Sequence, residues 1–569
     1  MKEYQALIEQ FAEESRSMTD LFAEIGPADD EYPDLYMALL EAEKKSINIL
    51  KMYETIDSGR WHRKAMKTLG ELLPRLSAST GDIIDCLCHL IREYESIGAG
   101  YRLGPAYIDY CAADIHRPVR AVELIKREPE TRGVLLRQSI VAGARIDSND
   151  FVDQAIALAA DRSPILAKGA ISSLYSIISP ESHDAQDRVL DVFEKIAHRK
   201  IDGEVMSAMV STAFHIFGRQ ERSMGRFIAL LRRCLAVDSS NTMDVLIDVF
   251  ASEQDDLSDE LLDFLVDHIQ GLKEISSNTV DRIDLGIYDL ITRRGPHEGL
   301  ALLEETLLAN EVDVRSFDST VNHLLRDGLL AKIVTKWLCS DSLVLRTSAA
   351  RIVEDNVYIQ DQVSIDKEEL PGFSLHTMLS LSRVCVGYLF NSPVAAASMI
   401  VSAMSVVEDG QPLDNFQNLL IDPLLPAHSD EVGAYLGKQL SGEIDKRIQE
   451  ACQGAIDEYE KRQTTLRELG SRPELHPSLR QREAYNRRMS QKIDDAIKAE
   501  EENSILTQIA YKRTMLYGVR IISYDSEMNL QEIPMTKFSD DLAIPIYLAL
   551  DPLGLDYRLK LFKRERVEA

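Results

Sequence analysis

Apolar residues recur at i, i+3, i+4 and i+7 along most of the chain up to about position 515, and alternating patterns are rare before that point. This period dictates helices, and from Asp150 onward it dictates them in pairs. Phe151 to Ala159 goes with Pro164 to Ile178, Val189 to Ile196 with Glu204 to Phe217, and Phe227 to Val237 with Thr242 to Phe250. Leu261 to Leu272 with Thr279 to Thr292, Leu300 to Ala309 with Ser316 to Leu325, and Ile333 to Leu338 with Leu343 to Val353 continue the series. The first members begin at 151, 189, 227, 261, 300 and 333, steps of 38, 38, 34, 39 and 33 residues. In the helix from Pro164, the stripe Ile165, Leu166, Gly169, Ala170, Ser173, Leu174, Ile177 and Ile178 is wider than one partner helix can cover. Successive pairs must therefore stack over a shared core, with Gly169 and Ala170 permitting close approach. Pro164 suits the first helical position, where its missing N–H leaves no gap.

The run Ser340-Asp341-Ser342-Leu343-Val344-Leu345-Arg346-Thr347-Ser348-Ala349-Ala350-Arg351-Ile352-Val353 resembles the second helix of a HEAT repeat. It has that family's Asp before the helix, an Arg after the aliphatic residues and an Ala-Ala packing pair. Asp313-Val314-Arg315 and Arg117-Pro118-Val119-Arg120-Ala121 resemble it more loosely, and the likeness covers roughly 105–356. The resemblance implies an all-α, HEAT-like solenoid. For function it implies most often a protein-binding scaffold, although the same architecture includes DNA-repair glycosylases, bilin lyases and a metal hydroxylase.

Around this array we expect three further regions. Residues 1–104 read as a helical cap with longer helices, about Lys2 to Ile25, Leu35 to Ile56, Trp61 to Leu76 and Gly81 to Ile97. Residues 357–440 read as further helices after the polar break Gln360 to Gly372. Residues 441–569 read as a separate module: a charged helix to Gly470, a long helix from about Leu479 to Leu516, a β-hairpin over Tyr517 to Phe538, and a short last helix after Asp551-Pro552.

Composition narrows the function. With 93 Asp and Glu against 64 Lys and Arg, the formal charge is −29, so binding to a phosphate backbone would need a strongly segregated basic face. Seven cysteines in 569 residues, mostly inside apolar helical runs, read as reduced, buried thiols and a cytoplasmic location. Met1-Lys2-Glu3-Tyr4-Gln5 runs straight into an amphipathic helix with no signal-peptide pattern. The most apolar stretch, Leu375 to Val407, is broken at Asn391-Ser392-Pro393, which leaves a piece shorter than the about 20 residues a membrane span requires.

No stretch carries a catalytic signature. Cys86-Leu87-Cys88-His89 looks like a metal cluster, but residues two apart on a helix point about 200° apart, so they read as buried helix residues. His297-Glu298 is a single pair at a helix start, whereas the metal hydroxylases with this architecture repeat such pairs on several helices. His183-Asp184 reads as a loop or helix cap, and Gly98-Ala99-Gly100-Tyr101-Arg102-Leu103-Gly104 as a flexible connection between helices, since no strand precedes it and no Gly-Lys-Ser/Thr follows. We expect no cofactor, no metal and no enzymatic activity.

Two charged segments remain as partner contacts. Glu253 to Glu260 gathers acids, of which Asp255, Asp256, Asp259 and Glu260 are candidates for docking a basic partner, against the simpler role of a solvated, helix-capping loop. Lys461 to Arg488 holds eight basic residues against three acids, with Arg480, Arg482, Arg487 and Arg488 at its centre, against the simpler role of pairing with the acidic body or an acidic partner. The expected function is a non-enzymatic interaction scaffold or regulatory subunit of a multiprotein complex. The rival expectation is a nucleic-acid-targeting subunit using 461–488, and the third is an enzyme of unrecognised type. The sequence leaves the oligomeric state open.

Overall fold

The computed structural model describes residues 2–25, 33–469, 478–503, 520–524, 530–534 and 551–568, apart from gaps of one to four residues within 33–469. The chain gathers into two compact units, Met1–Leu302 and Leu303–Ala569.

The first unit opens with α1 (Lys2–Glu13), α2 (Met18–Ile25), α3 (Pro33–Lys44), α4 (Ile49–Glu54), α5 (His62–Leu72) and α6 (Thr80–Glu93). The first two of the long cap helices expected from periodicity are thus divided. Ser15 adopts a left-handed φ of 54°. Directly after it Ser17 and Asp20 cap one another, Ser17 N donating to Asp20 Oδ2 at 3.0 Å and Asp20 N to Ser17 Oγ at 3.1 Å. Asn48 Oδ1 likewise accepts from Lys51 N at 3.3 Å and starts α4 afresh. Next come α7 (Ala99–Ala112), α8 (His116–Arg127), α9 (Pro129–Arg132) and α10 (Leu136–Ala144). The start of α7 corrects the expected flexible connection: Ala99 to Gly104 is helical, and a Cβ on Gly104 would sit in ordinary contact with Gln138.

The paired helices follow as expected: α11 (Ser148–Ala159) with α12 (Pro164–Ile177), α13 (His183–Ile196) with α14 (Gly203–Phe217), α15 (Met224–Val237) with α16 (Ser239–Ser252), and α17 (Asp259–Gln270) with α18 (Ser277–Arg294). Helices α10, α12, α14, α16 and α18 stack side by side as one row, and α11, α13, α15 and α17 form the second. The first row packs closely because small residues face bulky ones. A Cβ on Gly286 of α18 would lie 2.1 Å from the Phe250 ring of α16, and one on Gly169 of α12 would lie 3.0 Å from Leu136 Cβ of α10. Within the expected α12 stripe, Leu166, Ala170, Ser173, Leu174 and Ile178 are buried. Each fully buried Leu, Ile or Phe of this core contributes about 1.5–3 kcal/mol.

Ion pairs repeat at the same interval on the surface. Arg188 to Asp153 (2.6 Å), Arg222 to Asp187 (3.1 Å) and Arg226 to Asp191 (2.7 Å) each join residues 35 apart, and Arg282 to Asp248 (2.6 Å) joins residues 34 apart. Three of them link equivalent helices of neighbouring pairs, and Arg222 reaches α13 from the turn just before α15. Being exposed, each contributes about 0–1 kcal/mol, so they set register more than stability.

Helix α19 (Pro296–Asn310) leads into the second unit, where α20 (Asp318–Arg326), α21 (Leu330–Cys339) and α22 (Leu343–Asp355) continue the pairs. Arg351 reaches Asp313 and Arg315 reaches Asp355, both at 2.7 Å, so crossed ion pairs join the 313–315 turn to α22. The apolar run then folds as two helices, α23 (Leu375–Tyr388) and α24 (Pro393–Val406), broken at the expected place. After α25 (Asp414–Leu419), α26 (Leu425–Ala427) and α27 (Ser429–Leu440) come α28 (Lys446–Leu469) and α29 (Leu479–Asn503). Strands β1 (Arg520–Tyr524) and β2 (Leu530–Pro534) pair antiparallel with Ile522 opposite Glu532, and the turn between them lies outside the described residues. The last helix is α30 (Pro552–Lys563).

Two outcomes test this packing. Ala349 of α22 is fully buried, and Ala349→Asp should cost about 3 kcal/mol or more in urea unfolding, whereas Arg226→Ala should cost about 1 kcal/mol or less. Burial also pushes the thiols of Cys86, Cys88, Cys234 and Cys339 up to about 12. The folded state therefore favours the protonated thiol, so this contribution is complete below the unfolded thiol pKa of about 8.5 and is lost as pH rises toward 12. The urea midpoint should fall between pH 8 and pH 11.

Candidate functional site

The most elaborated polar arrangement among the described residues lies in the second unit, where α22 and α23 receive the C-terminal segment. Ser342 caps α22 by accepting from Leu345 N, and Arg346 follows within the first turn, on the side of the helix that Leu345, Ala349, Ile352 and Val353 bury. Arg346 is 3% exposed. Ser374 caps α23 in the same way, and Thr377, Ser380, Arg383 and Gly387 follow at intervals of three or four, forming a polar and small-residue track along an otherwise apolar helix.

Helix α30 lies against that track. Asp551 caps it by accepting from Gly554 N at 2.9 Å, with Pro552 at the first position. At its other end Arg346 Nη1 donates to the carbonyl oxygens of Lys563 (3.2 Å) and Glu565 (2.8 Å). The Lys563 carbonyl is one that the helix end leaves unpaired, at the negative end of the helix dipole, and the Glu565 carbonyl lies just beyond it. Arg383 Nη1 and Ser380 Oγ both donate to the Glu565 carboxylate, at 2.8 and 3.3 Å, and Thr377 Oγ1 donates to the Glu568 carbonyl at 2.8 Å. A Cβ on Gly387 would come within 2.8 Å of Lys563 N, so the backbone fits there because no side chain intervenes. Farther along α30, Arg558 pairs with Asp422 at 2.7 Å and Asp556 with Arg488 of α29 at 2.5 Å.

The electrostatics explain why the segment is held. The Asp341 carboxylate stands 3.9 Å from Arg346 Nη2, and the guanidinium also acts on the Tyr388 phenol, opposing the rise that burial gives it. A cation this buried is costly unless its surroundings compensate, and the two carbonyls of the C-terminal segment do so. The chemistry is recognition: a guanidinium for a helix end, and a second guanidinium for the acid just beyond it. The neighbouring thiols of Cys339 and Cys385 are raised by burial and so stay protonated.

The first unit carries a second surface on its closely packed row. The Arg137 guanidinium of α10 lies 4.9 Å over the Tyr175 ring of α12, which lies 5.1 Å from the His215 ring of α14. Beside them is a groove of about 570 Å³ lined by Val134, Arg137, Gly169, Ser172, Asp202 and Glu204.

The candidates from sequence fall differently. Arg480 and Arg482 are exposed on α29, Arg487 Nε turns back to the Glu483 carbonyl at 3.3 Å, and Arg488 is the residue that meets Asp556. Asp259 pairs with Arg293 (3.0 Å) and Arg294 (3.4 Å) of α18, and Glu260 is exposed beside it in the first turn of α17. Asp255 and Asp256 lie outside the described residues. The basic and acidic sets belong to different units. Cys86 Sγ and Cys88 Sγ approach different carbonyls, those of Leu50 (3.7 Å) and Arg132 (3.8 Å), as their helical spacing requires. Sequence reasoning missed the α22–α23 seat. Its available signals were an Arg on an apolar helix face and the spacing of Thr377, Ser380, Arg383 and Gly387.

No protein-family model matches this chain, and no curated protein matches it in sequence.

Arg346→Ala should leave the Lys563 and Glu565 carbonyls without their donor and weaken docking of α30 by about 1.5–3 kcal/mol. Amide-exchange protection across 552–563 should drop roughly tenfold to a hundredfold while α10 to α18 keep theirs. Gly387→Val should have the same regional effect. Unchanged exchange in α30 for both variants would contradict the seat.

Proposed function

We propose that this chain is a non-enzymatic protein-interaction scaffold, a HEAT-like helical array that serves as a subunit of a larger cytoplasmic assembly and binds helical segments of its partners. The observation that carries this reading is the α22–α23 seat, where repeat helices hold a helical segment 217 residues away in sequence by its end and by the acid beyond it. A paired-helix layer that recognises one helix in this way has the chemistry to recognise others. The row Arg137, Tyr175 and His215 supports the same reading, because aromatic and guanidinium groups on a stacked surface are the residue types that anchor protein interfaces. Among the described residues no helix is long and apolar enough to cross a membrane.

One measurement tests the proposal. Arg137→Glu with Tyr175→Ala should reduce partner recovery from native lysate at least tenfold with unchanged melting, and recovery should depend weakly on salt. Full recovery by the double variant would count against the scaffold. Nucleic acid recovered with a steep loss on adding salt would favour the rival reading instead.

A further inference from the structure

The segment 551–568 meets its seat differently from a core helix. Among its described side chains only Leu555 and Val567 are buried, whereas α24 of the same unit buries ten of its fourteen residues. Tyr557 and Leu561, about 200° and 240° around α30 from Leu555, are 66% and 48% exposed. What holds the segment is a set of directed polar contacts. Arg346 donates to the Lys563 and Glu565 carbonyls, Arg383 and Ser380 to the Glu565 carboxylate and Thr377 to the Glu568 carbonyl, and Asp422 pairs with Arg558.

The seat has the same character. Thr377 and Ser380 are covered by the segment's surroundings, at 0% and 1% exposed, yet both are hydroxyls, and the seat's other donors are guanidinium groups. Groups of this kind exchange a protein acceptor for water with little net loss, whereas an apolar track would expose core when uncovered. The features that the seat reads are also not peculiar to this chain. Every helix ends in unpaired carbonyls, and beyond them the seat reads one carboxylate, Glu565, two residues past the last helical residue, Lys563.

We propose that the C-terminal segment is a built-in competitor: it occupies the α22–α23 seat in place of a partner protein's helix that ends in the same way, with a carboxylate two residues past its last turn. This rests on the reading of the chain as a scaffold for helical segments and adds the device that regulates it. The partner's chemistry follows from charge, because Arg346 and Arg383 offer one cation to the negative end of a helix and a second to the acid beyond it. While the segment is docked the seat is filled, and the apparent affinity for a partner falls in proportion to the fraction of molecules whose seat is open. The partner enters by displacing α30.

The test uses the full chain and, as probe, a labelled peptide of residues 551–568 followed by fluorescence anisotropy, with circular dichroism to check folding. Wild type should bind the peptide weakly, because its own segment fills the seat. Glu565→Lys in the chain sets a cation against Arg383 and should raise affinity for the peptide at least tenfold. Arg558→Glu, which breaks the pair with Asp422 and leaves every seat residue in place, should do the same. Adding Arg346→Ala to either variant should remove the gain, as should Glu565→Gln in the peptide. Tyr557→Ala with Leu561→Ala in the peptide should leave binding unchanged, since the seat does not read that side. Equal binding by wild type and both variants, or a gain that survives Arg346→Ala, would overturn the competition. A wild-type dimer that Arg346→Ala dissociates would overturn it as well, by giving the seat to the segment of a second copy. The scaffold reading fails separately, on partner recovery by the Arg137→Glu, Tyr175→Ala variant.

Discussion

A helix pair of the kind this sequence encodes cannot bury its own apolar surface, and everything else in the molecule follows from the need to stack such pairs. Stacking is close only where one helix offers no side chain. Gly169 against Leu136 and Gly286 against Phe250 are such places, and they let α10 to α18 form a continuous row. The second row, α11 to α17, follows the same rhythm and is linked at the surface by Arg–Asp pairs about one repeat apart. Apolar burial supplies the stability, and the weaker exposed pairs select the register in which it is realised.

The second unit shows what such a layer can do beyond holding itself together. Arg346 is buried on the apolar side of α22, and its guanidinium donates to the Lys563 carbonyl at the end of α30 and to the Glu565 carbonyl just beyond it. Cation and C-terminal segment serve one another: the segment covers the guanidinium and accepts from it, and without the guanidinium the helix end loses its donor. Thr377, Ser380 and Arg383 extend the same recognition to Glu565 and Glu568. The seat thereby brings the chain back onto its own array after the long excursion through α29.

Much of the fold was legible. The six helix pairs from Phe151 to Val353 follow from periodicity and from cap residues such as Ser163 and Ser342, because these are local effects that neighbouring residues decide. The cap region was misread for a local reason as well: Ser17-Met18-Thr19-Asp20 is a reciprocal cap, and an unbroken apolar period hides it. The site was less legible. The charge of Arg488 was visible, but its match to Asp556 needed the return of α30. Asp259 looked like a free acid until α18 brought Arg293 and Arg294 to it.

The sequence by itself determined an acidic chain of stacked helix pairs, their approximate bounds and the break at Asn391 to Pro393, since each depends on residues within a turn or two of one another. Tertiary structure alone decided which polar residues are used inside the molecule. Arg346 and Lys563 are 217 residues apart, and no local rule relates an arginine on one helix to a carbonyl at the end of another. That relation exists only after apolar burial has set α22, α23 and α30 side by side, because hydrogen bonds act over about 3 Å and require the groups already in place.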